Sequence, residues 1–394
     1  MNTLRLNRNR RDLAGLLRCP VTGQRLDYIP FNDGEGFGWP DGILMSEGGT
    51  WYPVIRGVPR LLSPALWGDY SAFCRRYEKE IGDAGVEGCG FESKRRWEGD
   101  GGDPDGLQTR HSFGIKWNSQ PRWGLQGGSE RQINEWVLKK YGWGDEEHYR
   151  KDIRRRRRIL DAGTGLGREM LRFSRANPHA LVLGMDLSDS VESAVLNLAG
   201  RPRTLVLQGD IMNPPFAPGS FDYIHSEGVL HHTPDTRSAL MSLVRLLSKG
   251  GEIAFYIYRK KGPAREYCDD LLRDRIGALS PEAAFEEVKA LTLLGRALSG
   301  VNQEIEVPEI PALGIPAGKT SVQRLLYWNF LKCFWNDDLT LEENNLVNFD
   351  WYHPRFAHRH TMAEVREWME AACISPIWVN EEPAGITVRA VRNN

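Results

Sequence analysis

The chain has 394 residues, with 51 basic side chains against 52 acidic ones and a net charge of −1. That length suggests about two to three domains of ordinary globular composition, and the charge balance argues against a polyanion such as nucleic acid as partner. No apolar run reaches the roughly 18 residues of a membrane-spanning helix and none of signal-peptide length follows Met1, so the chain reads as cytoplasmic, with no membrane partner.

Residues 1–66 read as a small, mainly β unit of short strands and turns, with CPVTGQRL near its start and GGTWYPVIRGVPRLL at its end. Its core is expected on Trp39, Trp51, Tyr52, Val54, Ile55 and Val58. The six cysteines (Cys19, Cys74, Cys89, Cys268, Cys333 and Cys373) form no CxxC pair. A four-ligand zinc site cannot be assembled around Cys19 alone, so no metal is expected. Residues 67–153 form a linking segment, in which Gly99–Gly106 reads as a surface loop and HSFGIKWN (His111–Asn118) is an aromatic stretch. The arginines from Arg154 to Arg158 precede a buried strand and read as its solvated entry.

Residues 154–258 carry the strongest pattern. RILDAGTGLG (Arg158–Gly167) reads as a strand, a tight turn and a helix start, with the helix over Arg168–Ala176. Gly163 and Gly165 let the backbone turn sharply and approach a ligand, and Gly167 lets the helix pack closely. A dinucleotide fingerprint would have glycine where Arg168 stands, which argues against NAD. Four further strand-like runs follow: ALVLGMD ending at Asp186, TLVLQGD ending at Asp210, SFDYIHS over Ser220–Ser226, and GEIAFYIY over Gly251–Tyr258. Alternation with helix signals predicts a parallel sheet with helices on both faces, whose ligands sit beyond the strands' C-terminal ends. Asp186 stands where such folds place a carboxylate on ribose hydroxyls.

In this order, ILDAGTGLGRE, VLGMDLS, LQGDIMNPPF, FDYIHSEGVLHHTPD and LSKGGEIAFYIY resemble the class I S-adenosylmethionine-dependent methyltransferases. The resemblance implies an α/β fold built on a Rossmann-like seven-stranded sheet, and S-adenosyl-L-methionine as cofactor. It implies that Asp161, Gly163, Gly165 and Gly167 cradle the methionine part, that Asp186 with Leu187 holds the ribose, and that Asp210 with Ile211 contacts the adenine. Glu227 and His231 would line the floor. Residues 1–66 look like the zinc-ribbon-like activator domain fused to the front of some methyltransferases, without its zinc cysteines. The HSFGIKWN stretch is similar to a segment that caps the cofactor pocket in that fused group. The N-terminal unit is expected to serve packing or dimerisation, which leaves a homodimer open.

An ordinary chain of this family would pass soon from the fifth strand to its last helix, yet residues 259–350 intervene. They read as a helical lid insertion, with helical periodicity over 264–299, a cap at Ser280-Pro281 and an aromatic-rich helix over Val322–Trp335. Residues 351–394 close the core, with a helix over Thr361–Ala372 and strands over Ile374–Asn380 and Gly385–Val391. His231, His232 and Glu227 are the candidate catalytic groups, because imidazole suits proton removal from a hydroxyl and a carboxylate suits an amine. Tyr256 and Tyr258 with Trp351, Tyr352, Arg355 and His358, the latter four in DWYHPRFAHRHT, are candidate acceptor-binding residues, arginine being suited to bidentate capture of a carboxylate. The reading that results is methyl transfer to an O or N atom of a small-molecule metabolite. Two others stay open: a tRNA or protein methyltransferase docking through its N-terminal unit, and a non-catalytic cofactor sensor.

Overall fold

A computed structural model describes residues 13–32, 39–63, 66–86, 103–125 and 127–393. Four short strands come first, β1 (Leu26–Pro30), β2 (Gly42–Ser46), β3 (Trp51–Ile55) and β4 (Val58–Leu61), joined as an antiparallel meander. The apolar runs of the core become β5 (Arg158–Ala162), β6 (Leu181–Asp186), β7 (Thr204–Gly209), β8 (Phe221–Glu227) and β9 (Leu247–Tyr258). A small hairpin, β10 (Glu304–Val307) and β11 (Gly318–Ser321), stands apart in its own sheet, and β12 (Ile374–Glu381) and β13 (Gly385–Arg392) close the chain.

The large sheet runs β1-β2-β3-β4-β7-β6-β5-β8-β9-β13-β12. Strands β7, β6, β5, β8 and β9 are parallel neighbours, while β13 pairs antiparallel with β9. The central strands are apolar nearly throughout because both faces are covered: Leu160, Leu183 and Phe255 pack on one side, Ile159, Val182 and Tyr223 on the other. The order reverses beside β5, between β5 and β8. A crevice opens there at the C-terminal ends of the parallel strands.

The N-terminal residues do not form the separate unit expected. β4 pairs in parallel with β7, Arg60 opposite Gln208 and Leu61 opposite Gly209. Without β4, β7 would be an edge strand with unpaired backbone groups. The core is shared too, since Leu17, Trp39 and Tyr52 belong to the same buried cluster as Leu183, Leu207 and Phe216. Arg60, buried, ties the junction from its side chain, donating to Gln208 Oε1 at 3.0 Å and pairing with Glu192. Cys19 is buried, its sulfur 3.2 Å from the Tyr52 hydroxyl.

Of the expected loop Gly99–Gly106, the first four residues lie outside the described ones. The rest begins a helix, Pro104–Ser119, whose N-cap Asp103 accepts from the Gly106 amide at 2.8 Å. In the long segment after β9, helices run over Pro263–Ile276 and Pro281–Ser299, the second capped by Ser280. The aromatic helix expected over Val322–Trp335 stops at Asn329. Its remainder is held extended by asparagines of the next helix, Leu341–Tyr352: Asn348 bonds both the amide and the carbonyl of Phe334, and Asn344 those of Asn336. Backbone groups satisfied this way need no helix.

Candidate active site

The turn after β5 sets the floor of the crevice. The amides of Gly163 and Thr164 donate to the Met185 carbonyl at 2.7 and 3.0 Å, and the Gly165 amide donates to Asp186 Oδ2 at 2.8 Å. Gly163 has a φ of 84°, and a Cβ there would lie 2.2 Å from a Val229 methyl, so no other residue fits. Over Gly165 lies the Trp117 ring, 3.3 Å from where a Cβ would be. Gly167 lies outside the cavity. It is the left-handed N-cap of helix Arg168–Ala176, in close contact with Ala194 and Leu198.

The crevice holds a cavity of about 390 Å³, within the roughly 300–1,000 Å³ usual for small-ligand sites. Asp161, Gly163, Gly165, Asp186 and Leu187 form its floor, and Asp210 and Ile211 one end. Glu227, His232, Tyr256 and Tyr258 line the opposite end. Above them, helix Pro104–Ser119 contributes Phe113, Lys116 and Trp117, and helix Leu341–Tyr352 contributes Glu343, Leu346 and Asp350. The stretches 104–119 and 341–352 thus form a roof over the strand ends.

Burial raises the carboxyls of Asp186 and Asp210, against the lowering effect of the hydrogen bonds each accepts. Asp186 accepts from Gly165 on Oδ2 and from the Ser188 amide and hydroxyl on Oδ1. A carboxylate offers about four acceptor positions, so one remains on Asp186, fewer than the two that a pair of ribose hydroxyls would need. Arg168 also lines the cavity, and its Nη1 is buried with no partner among the described residues.

Glu227 is not a free carboxylate. Lys140 pairs with its Oε1, and the Tyr141 hydroxyl donates to Oε2 at 2.6 Å. Lys140 is fully buried, with its Nζ 3.8 Å from the Trp136 ring centroid and 3.7 Å from that of Tyr256. Burial lowers its ammonium to about 8 against the pull of Glu227. Lys140 and Tyr141 each hold one carboxylate oxygen, which fixes the group in place at the cavity wall. Sequence reasoning missed this pair, since helix Gly127–Lys140 carries no motif and lies in the stretch read only as a linking segment.

The two histidines after β8 separate. His232 lines the cavity, and its Nδ1 lies 2.6 Å from the Phe356 carbonyl, which can only accept. That fixes the proton on Nδ1 and leaves Nε2 with its lone pair, making no hydrogen bond among the described residues. Burial pushes the imidazole down to about 4, opposed by nearby Asp350. His231 sits behind the cavity, fully buried, its ring 3.7 Å from that of Tyr258 and its Nδ1 accepting from the Tyr258 amide at 3.3 Å. It cannot meet a ligand.

Four residues of DWYHPRFAHRHT expected to bind the acceptor lie outside the cavity. Trp351 is core, packed with Phe349 and Ile276 and 4.6 Å from the Tyr258 ring. Tyr352 is fully buried, its hydroxyl donating to the Lys332 carbonyl at 2.9 Å. Arg355 turns to the surface and pairs with Asp105 at 3.1 Å. His358 stacks on Phe356, and its amide donates to the His231 carbonyl at 2.9 Å, so the segment braces the histidine loop from outside. The residue of this run that does line the cavity is Asp350.

Residues 160–255 match the family described as a methyltransferase domain. An uncharacterized methyltransferase of Arabidopsis thaliana is 28% identical over 112 residues, 27% of this chain and 32% of that protein. A methyltransferase of Strobilurus tenacellus is 28% identical over 191 residues, 44% of this chain and 66% of that one. The crystal structure of an S-adenosylmethionine dependent methyltransferase from Mesorhizobium loti is similar over 60% of this chain and 90% of its own, at 16% identity and a TM-score of 0.37. The chain therefore spans less than two thirds of the length of these curated relatives. The matched stretch contains the glycine turn, Asp186, Asp210, Glu227 and His232, so the chain carries an S-adenosylmethionine-dependent methyltransferase domain.

Proposed function

From the methyltransferase domain at residues 160–255 we propose that the whole chain methylates a hydroxyl oxygen of a small-molecule acceptor, with His232 as the base. The cavity residues fit the cofactor. Asp186 would take one ribose hydroxyl in its remaining acceptor position, Asp210 and Ile211 would flank the adenine, and the unpartnered Nη1 of Arg168 would meet the carboxylate of the methionine part. Bound there, S-adenosylmethionine supplies a methyl group already activated on a sulfonium sulfur. The chain need only align a nucleophile, exclude water and accept a proton.

The observation that carries this reading is the fixed tautomer of His232. Phe356 holds the proton on Nδ1, so Nε2 would be free to accept the proton of the acceptor's hydroxyl group. Glu227, engaged by Lys140 and Tyr141, acts as a fixed wall rather than a base. The segment over residues 259–350 acts as a lid, its Glu343, Leu346 and Asp350 closing the cavity over the acceptor end. A roofed cavity of about 390 Å³ and a net charge of −1 support a small molecule over a tRNA or protein. The test is His232→Gln. Transfer of labelled methyl to a hydroxylated aromatic acceptor should fall by about 10²- to 10⁴-fold, with S-adenosylhomocysteine affinity by calorimetry unchanged. Undiminished transfer would remove His232 from the chemistry.

A further inference from the structure

Resting on that methyl-transfer reading, we propose that the acceptor is a neutral aromatic molecule with a second hydroxyl group, and that Asp350 binds this second hydroxyl. Asp350 lies near the end of helix Leu341–Tyr352 and lines the cavity. Its Oδ2 is 2.8 Å from Lys116 Nζ. Its Oδ1 is shielded from water and has no donor among the described residues. Leaving a buried carboxylate oxygen without a donor is costly, and a ligand seated in the adjoining cavity is the available source of one.

The surroundings define what brings that donor. Phe113, Trp117, Trp136, Tyr256 and Tyr258 contribute their rings to the walls, and Phe113 meets the His232 ring edge-on at 4.8 Å. Such walls favour a flat, apolar frame. Charge narrows the choice further. Lys116 already neutralises Asp350. An ammonium on the acceptor would add a second positive charge to one acid, and an anionic group would face Asp350 itself. A hydroxyl donates to Oδ1 and changes no charge. With Nε2 of His232 also lacking a proton, this end of the cavity presents two acceptors, which call for two donors on one frame.

The probes are the dihydroxynaphthalene isomers, set against 1-naphthol and 2-naphthol. Each is titrated calorimetrically into the full chain after S-adenosylhomocysteine binding has been measured. At least one isomer should bind about tenfold or more tighter than either naphthol, and Asp350→Asn should lose about tenfold on that isomer while naphthol affinities stay constant. A wild-type protein that prefers no diol overturns the proposal, and so does a variant that keeps the preference. The wild-type comparison stands whether or not the variant folds. Failure of S-adenosylhomocysteine to bind would overturn the underlying methyl-transfer reading. Binding of S-adenosylhomocysteine without a diol preference would overturn the Asp350 assignment alone.

Discussion

Gly163 combines a left-handed φ of 84° with a Val229 methyl 2.2 Å from where a Cβ would stand. Gly163→Ala should destabilise the fold by about 1–3 kcal/mol in urea titration and abolish S-adenosylhomocysteine binding. Adding Val229→Ala should recover stability in part, because the clash is relieved while the backbone strain stays. Asp186→Ala should weaken S-adenosylhomocysteine by roughly ten- to a hundredfold, since a charge-assisted hydrogen bond and the anchor of the Gly165 amide are both lost. His232 gives a pH prediction with a definite sign. Its imidazole is held at about 4 instead of 6.5, so it is unprotonated and able to accept a proton at any pH above that lower value. The acid limb of kcat/KM should therefore fall near pH 4, and a limb at 6.5 would mean that another group titrates. The unfolded chain takes up that proton first, so this site also loses stability as pH drops from 6.5 toward 4. Residue chemistry was legible in the sequence where a motif fixed the backbone, as at Gly163, Gly165 and Asp186. It was not legible at Lys140, whose partner Glu227 lies 87 positions away, nor in the opposite orientations of His231 and His232, which depend on Phe356 and Tyr258.

At the level of elements, the parallel strands announced themselves because each is apolar throughout and ends where the chain turns polar. The roof did not. Helix Leu341–Tyr352 presents polar asparagines to its own neighbours and apolar side chains on several sides, so no single helical face stands out. Its buried Asn344, Asn345 and Asn348 act as backbone substitutes for the extended stretch after Asn329 and for the Pro281–Ser299 helix. Asn348→Ala would strip the Phe334 amide and carbonyl of their partners and release Thr292. A loss of about 2–4 kcal/mol in urea unfolding is expected, with diol binding weakened and S-adenosylhomocysteine affinity kept, because the floor is built from other elements. Unchanged stability would mean that the stretch after Asn329 finds other partners.

Across the whole molecule, the pairing of β4 with β7 makes one sheet from what the sequence divides in two. The β4–β7 ladder itself is two residue pairs, and no local pattern marks either strand as a partner of the other. One cooperative transition is expected for the full chain in scanning calorimetry, and two resolved transitions would restore an independent N-terminal unit. The junction also imposes an order in time. Arg60 and Gln208 are 148 positions apart, so at about 5–20 residues per second a ribosome needs roughly 7–30 s after making β4 before β7 exists. For that interval the nascent meander carries an open edge and an uncovered apolar face. Its first strands must wait unfinished for the middle of their own chain, which makes early synthesis the period when this protein most needs shielding from its neighbours.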